Sequence, residues 1–264
     1  MSLAMETVEL SIDGGVARIT LNRPDALNAW THALGQDLRS ALDHAAESAE
    51  VRAIVLTGAG RAFSSGADLK GGVVGEDGTP DVLTPLREIY NPLILQVRTI
   101  PKPVVAAVNG PAVGIGCSLA LAADLIVAAE SAYFLLAFVN IGLGLDGGAS
   151  AFLPARVGQA RAFELAYLGE RLPAARALDW GLVNRVVPDA ELETEVGSLA
   201  DKLAAGPPRA YASIKQTIND QLYPRIAQQL DDEAVLQQER ARSQDFMEGM
   251  LAFMEKRPAT FTGD

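Results

Sequence analysis

The sequence predicts an α/β protein, a largely parallel layered structure followed by a helical tail. Three observations carry this reading. Short, buried-looking apolar runs recur at Val51 to Thr57, Val104 to Val108 and Asp124 to Ala128, with helix-length segments between them. That order builds a parallel sheet. Two of the runs end in glycine-rich turns, and the last sixty or so residues carry no strand pattern. The length, 264 residues, suits one large domain or one domain with a helical appendage.

Thr7 to Ile12 and Val16 to Leu21 alternate around Asp13-Gly14-Gly15, which reads as a hairpin. Thr31 is placed to cap a helix running to about Ala46. The strand Val51 to Thr57 follows and ends at Gly58-Ala59-Gly60. Residues 71 to 81 are rich in glycine and poor in pattern, as in a loop. Val82 to Ile100 reads as a helix stopped by Pro101 and Pro103. Val104 to Val108 then breaks at Asn109-Gly110-Pro111 and resumes through Gly114-Ile115-Gly116 as a buried helix. After the strand Asp124 to Ala128, the pattern predicts helices at about 147–168, 173–180, 189–204, 207–220 and 223–255, with a short strand from Leu182 to Val187.

Composition narrows the function. Charged residues are 21% and the formal net charge is −11, which argues against a nucleic-acid partner. No apolar run reaches membrane-spanning length, and no leader pattern is visible, Met1-Ser2-Leu3 reading as a remnant outside the fold. The single cysteine, Cys117, excludes a disulfide framework and makes cytoplasmic residence the simplest expectation. With two histidines and one cysteine, a histidine- or cysteine-based metal site lacks material, and no metal is expected. Gly114-Ile115-Gly116 fails the dinucleotide pattern because Leu119 stands at its last glycine. Gly116-Cys117-Ser118 falls short of a nucleophile elbow, and His32 and His44 both precede the serine.

What survives is a pair of glycine turns, Ser65-Gly66-Ala67-Asp68 and Val113-Gly114-Ile115-Gly116, each after a buried strand. Two backbone N–H donors from adjacent turns can converge on one oxygen and stabilise an enolate or oxyanion. These segments, with Gly181-Leu182-Val183-Asn184-Arg185-Val186-Val187, resemble the enoyl-CoA hydratase/isomerase (crotonase) family. The resemblance runs from Ala17-Arg18-Ile19-Thr20-Leu21-Asn22-Arg23-Pro24 to Glu255-Lys256-Arg257-Pro258.

The resemblance implies a crotonase-like spiral of β-β-α units over residues 1–200, which carries the acyl-CoA site. Residues 201–264 would form a C-terminal helical trimerisation region, giving a homotrimer or a dimer of trimers. It implies an acyl-CoA thioester as substrate, in the setting of fatty acid metabolism, with no cofactor beyond the CoA of the substrate itself. The thioester oxygen would sit between the N–H groups of Ala67 and Ile115. Arg23, Ala26 and Leu27 fall where the family packs CoA, and Ser65, Gly66, Ala67, Asp68, Leu69, Gly114 and Phe138 are further candidates for binding the substrate or its CoA. Asp68 is expected to be structural, capping a helix that begins there. Lys256 falls where a C-terminal lysine can meet CoA phosphates, or else belongs to a solvated basic tail.

Resemblance does not fix the reaction. The family's hydratases use two glutamates, and this chain has Ser118 and Phe138 at those positions. Phenylalanine cannot transfer a proton, and a lone serine is a poor base near neutral pH. Asp146 remains, where family isomerases that move double bonds carry an aspartate. Apolar walls from Phe134, Leu136, Phe138 and Leu143 would raise its pKa toward a useful value. The alternative role for Asp146 is an N-cap of the following helix. Family dehalogenases use an aspartate there with a histidine helper, and this chain has no histidine after His44. The reading favours an isomerase over a hydratase with atypical catalytic groups and over a non-catalytic acyl-CoA-binding trimer.

Overall fold

The computed structural model of the chain describes residues 5–69 and 79–264. Most of the expected loop from 71 to 81, and Met1-Ser2-Leu3, lie outside the described residues. The hairpin forms as β1 (Val8–Asp13) and β2 (Val16–Leu21), antiparallel, with Gly14 and Gly15 at positive φ in its turn. Parallel strands β3 (Ala53–Gly58), β4 (Val104–Val108), β6 (Leu125–Ala129) and β9 (Arg185–Val187) extend it into a six-stranded sheet of order β1-β2-β3-β4-β6-β9. Every residue of β4 is buried, as its unbroken apolar run requires.

A smaller sheet was not expected. Strands β5 (Ala112–Val113), β7 (Tyr133–Leu135) and β8 (Leu172–Pro173) pair in the order β5-β7-β8. Two- and three-residue strands are too short to show periodicity in a sequence. The predicted strand from Leu182 is also shorter, since the chain becomes extended only at Arg185.

Helix α1 (His32–Glu47) is capped by Thr31, whose hydroxyl accepts from the Leu34 N–H at 3.2 Å. Its buried face, Leu34, Leu38, Ala41, Leu42 and Ala45, follows the helical repeat onto the sheet. The helix predicted from Val82 is composite. An α-turn, α2 (Leu83–Pro85), leads into π-helical Leu86–Tyr90 and then α3 (Asn91–Thr99). Helix α4 (Ile115–Ala122) is buried along its whole length.

The helix expected over 147–168 is two helices, α5 (Ala149–Val157) and α6 (Gln159–Leu168), split at Gly158 with φ 79. Helices α7 (Ala174–Asp179), α8 (Leu192–Ala205) and α9 (Pro208–Leu222) follow near their predicted places. Buried Lys215 anchors α9 to the main sheet through Asp124, 2.9 Å away. The same carboxylate accepts the Val104 N–H of β4 at 2.8 Å. The segment 223–255 also divides, into α10 (Ile226–Ala241) and α11 (Gln244–Glu255). Ser243 starts the second, accepting from the Phe246 N–H at 3.1 Å. Helix α10 reaches the turn that carries Asp146.

Candidate active site

The ends of β3 and β4 hold the two glycine turns side by side. Asn109, just after β4, donates from its amide to the carbonyls of Gly58 (2.8 Å) and Gly60 (3.0 Å). A parallel bridge links Ser64 to Ala112, with Ser64 N–H on Pro111 O (3.0 Å) and Val113 N–H on Ser64 O (2.9 Å). Gly66 and Gly114 therefore face one another. A Cβ on Gly66 would stand 2.9 Å from Val113 O and 3.8 Å from Gly114 Cα. Both have positive φ, 90 and 53, so a side chain there would be strained as well as obstructed.

These turns leave two amides free. The Gly66 N–H bonds to Ser64 Oγ (3.2 Å) and the Asp68 N–H to Trp30 O (2.9 Å). Between them, the N–H of Ala67 has no partner among the described residues, and Ala67 is exposed. The N–H of Ile115, at the first position of α4, has no partner outside its helix among the described residues, as helix starts leave their amides unpaired. Phe138, on a 3₁₀ turn (Ala137–Ile141), lies against Gly114, its Cε1 3.8 Å from where a Cβ would be.

A second cluster borders the Ser65 turn. Leu27 and Asn28 adopt left-handed backbone, φ 52 and 55. Fully buried Asn28 holds that conformation: its Oδ1 accepts from Arg23 N–H (2.9 Å), and its Nδ2 donates to Ala59 O (3.0 Å) and Ala62 O (2.8 Å). Ser65 docks on this loop through its N–H to Leu27 O (2.9 Å) and its hydroxyl to Ala26 O (3.3 Å). Arg23 crosses to Asp68 at 3.1 Å and also donates to Ala29 O. Arg23, Ala26, Leu27, Ser65 and Asp68 are thus one contiguous unit. The helix that Asp68 was expected to cap falls outside the described residues, which include Leu69. Lys256 is not tied to this unit by any hydrogen bond or ion pair of the described residues. It is an exposed left-handed residue, φ 56, ending α11.

Asp146 lies in the turn before α5 and is 9% exposed. Its Oδ2 accepts from Gln237 Nε2 at 3.0 Å, whereas its Oδ1 is buried with no partner among the described residues. Ser118, at one of the two missing glutamate positions, is fully buried and donates to the backbone carbonyl of Asp146 at 2.9 Å. Burial raises the Asp146 pKa to about 7; the Gln237 hydrogen bond opposes this and the negative charge of Glu233 adds to it. Tyr90, on the π-helical segment, packs edge-on against Trp30 with centroids 5.1 Å apart. Its hydroxyl is pushed up to about 12 by burial and by the charges of Asp146 and Asp68, so it stays protonated.

The alternative role for Asp146 does not hold. Asp146 does not cap α5. The N-cap residue is Gly148, and the cap comes from α10, where Glu233 accepts from Gly148 N–H (2.7 Å) and Ser150 N–H (2.9 Å). Phe134 and Leu136, expected as walls of Asp146, line a small cavity with Cys117, Leu153, Leu165, Leu172 and Leu182. Cys117 itself is a buried thiol with its pKa raised to about 12 by burial. Among the described residues, no three His, Cys, Asp or Glu side chains could hold a metal ion together, and no helix is long and apolar enough to cross a membrane.

Gln229, Glu233 and Gln237 were not anticipated. They recur every four residues on one face of α10, and all three reach the turn at 144–150. The spacing is present in the sequence, but a polar stripe on a helix ordinarily marks its solvated side.

The facing glycine turns and the turn of Asp146 belong to one region of the fold, joined through Ser118 of α4. The family model for enoyl-CoA hydratase/isomerase matches residues 11–264, and the chain belongs to that family. It is 45% identical to a probable enoyl-CoA hydratase of Rhodobacter capsulatus, over 99% of this chain and 100% of that one. It is 40% identical to the 1,2-epoxyphenylacetyl-CoA isomerase of Escherichia coli, over 98% and 99% of the two chains. Among solved structures, an enoyl-CoA hydratase from Mycobacterium avium subsp. paratuberculosis superposes with a TM-score of 0.88 at 40% identity, covering 98% of this chain and 99% of that one. The protein is an enzyme of this family, with the crotonase fold and acyl-CoA chemistry.

Proposed function

We propose that this enzyme shifts a double bond along the acyl chain of a CoA thioester, with Asp146 as the proton carrier. The observation that carries the reading is the state of that carboxyl: buried, held through one oxygen, with the other oxygen unpartnered and a pKa raised to about 7. A base with a pKa near the working pH both takes and returns a proton. Asp146 removes a proton from the α carbon of a β,γ-unsaturated thioester. The electron pair moves onto the thioester oxygen, between the N–H groups of Ala67 and Ile115. Collapse of that enolate forms the α,β double bond, and the same carboxyl returns the proton to the γ carbon. Arg23, Ala26, Leu27 and Ser65 form the loop on which CoA rests, and Phe138 closes the acyl side.

Hydration needs a second carboxylate to place water. Ser118 is committed to the Asp146 backbone, and Phe138 has no proton to give. Glu233 is close, but both its oxygens accept N–H groups at the start of α5. The names of the relatives divide between hydratase and isomerase, so the reaction rests on these side chains.

The test is a mass-spectrometric assay in deuterated water, with β,γ- and α,β-enoyl-CoA thioesters and with wild-type protein and Asp146→Asn. The isomerase reading expects a shifted double bond, no added water, and loss of turnover in the variant. Products heavier by one water would restore the hydratase reading. Binding of CoA esters without any turnover would make the protein a binding module.

A further inference from the structure

We propose that Gln237 is a positioning residue that fixes which oxygen of Asp146 carries the proton, the deepest link in a polar row by which α10 holds the turn at 144–150. This rests on the reading of Asp146 as the proton carrier.

The orientation of the Gln237 amide follows from its partners. Its Oε1 accepts the Gly144 N–H at 2.9 Å, which leaves only the NH₂ end to face Asp146. Nε2 donates to Oδ2 at 3.0 Å. The side chain is 1% exposed, so water does not compete for either bond. Oδ2 is thereby occupied in every protonation state of Asp146, because an amide NH₂ cannot accept a proton from it. The hydrogen bond lowers the basicity of Oδ2, so the proton taken from substrate goes to Oδ1, which is buried and without a partner among the described residues.

The rest of the row keeps this geometry. Glu233 holds Gly148 and Ser150, and Gln229 donates to Ser150 Oγ at 2.7 Å. Gln238, adjacent to Gln237, accepts the N–H groups of Val82 (2.9 Å) and Leu83 (3.1 Å) and donates to Pro80 O (2.8 Å). Helix α10 thus clamps both the Asp146 turn and the start of the composite helix that carries Tyr90. The titratable groups facing Asp146 are Glu233, on α10, and Tyr90, on the π-helical segment; Ser118 from α4 meets only its backbone. Of these neighbours, Gln237 alone donates to the carboxylate, so it alone favours the ionised form by a direct hydrogen bond.

The experiment is the pH profile of kcat/KM for the double-bond shift in wild type, Gln237→Glu and Gln237→Met. Gln237→Glu keeps an acceptor for the Gly144 N–H and replaces the donor by a second carboxyl. Gln237→Met removes donor and acceptor at similar volume. In both, the limb that reports ionisation of Asp146 is expected to move to higher pH by about one unit or more, with KM within about twofold of wild type. A merely structural glutamine would alter KM and stability and leave that limb in place, and this result overturns the inference. If either variant fails to fold, the other still decides. Asp146→Asn separates the two levels. Inactive Asp146→Asn with an unmoved limb in the Gln237 variants refutes the role of Gln237 alone. Active Asp146→Asn refutes the underlying reading.

Discussion

Replacing Asp146 by asparagine tests the electrostatics of the site without any substrate. Asparagine keeps the volume and leaves an oxygen to accept from Gln237, but it cannot ionise. In the unfolded chain an aspartate ionises near 3.8; in the fold this one keeps its proton to about 7. Below both values the two states bind the proton equally. Between them the unfolded chain has released it and the folded chain has not, so folding stability falls as pH rises through this window and levels off above about 7. The whole shift, from 3.8 to about 7, corresponds to about 4 kcal/mol. Of this, about 2–3 kcal/mol lies between roughly pH 5 and roughly pH 8. Asp146→Asn lacks the term, so its stability relative to wild type should rise by that amount across the interval. Urea denaturation of both proteins at the two pH values, at equal concentration, measures it. A flat difference would show that Asp146 does not titrate there, and the account of its burial would fail.

Two more substitutions probe the groups around it. Ile115→Pro removes one proposed oxyanion donor at a helix position that tolerates proline; kcat should fall by about 100- to 1000-fold with helical content intact by circular dichroism. Asn28→Ala breaks three hydrogen bonds of a fully buried side chain that shape the Arg23–Asp68 unit and should destabilise the protein by about 2–4 kcal/mol in chemical denaturation. An unchanged midpoint would mean that water replaces all three.

The sheet was legible because each strand advertises itself locally. Val104 to Val108 needs no distant information to read as buried, and Asn109-Gly110-Pro111 no more to read as a turn. Thr31 likewise declared its helix. The division of 223–255 was hidden because Arg242-Ser243 carries neither glycine nor proline, and only the Ser243 cap marks it. At the site, the two glycine turns were legible as local breaks after buried strands, and Ala67 and Ile115 were named as donors by family resemblance alone. The partners of Asp146 were not legible. Glu233 and Gln237 lie 87 and 91 positions further along, and their meeting with this turn is set by the way the C-terminal helices fold back. The cap of α5 was hidden for the same reason: the remote carboxylate of Glu233 fills the role left open as an alternative for Asp146.

With Asp146 as the proposed proton carrier, the seclusion of Oδ1 gives the site a short memory. A carboxylic acid exposed to water trades its hydrogen with solvent many times between chemical events. One sealed from water retains the atom it has just received. Isotope placed on the α carbon of the substrate should therefore reappear on the γ carbon of the same molecule, and product formed in heavy water should carry less label than one atom per turnover. The fraction transferred internally would serve as a clock, timing rearrangement of the enolate against the arrival of the first water molecule.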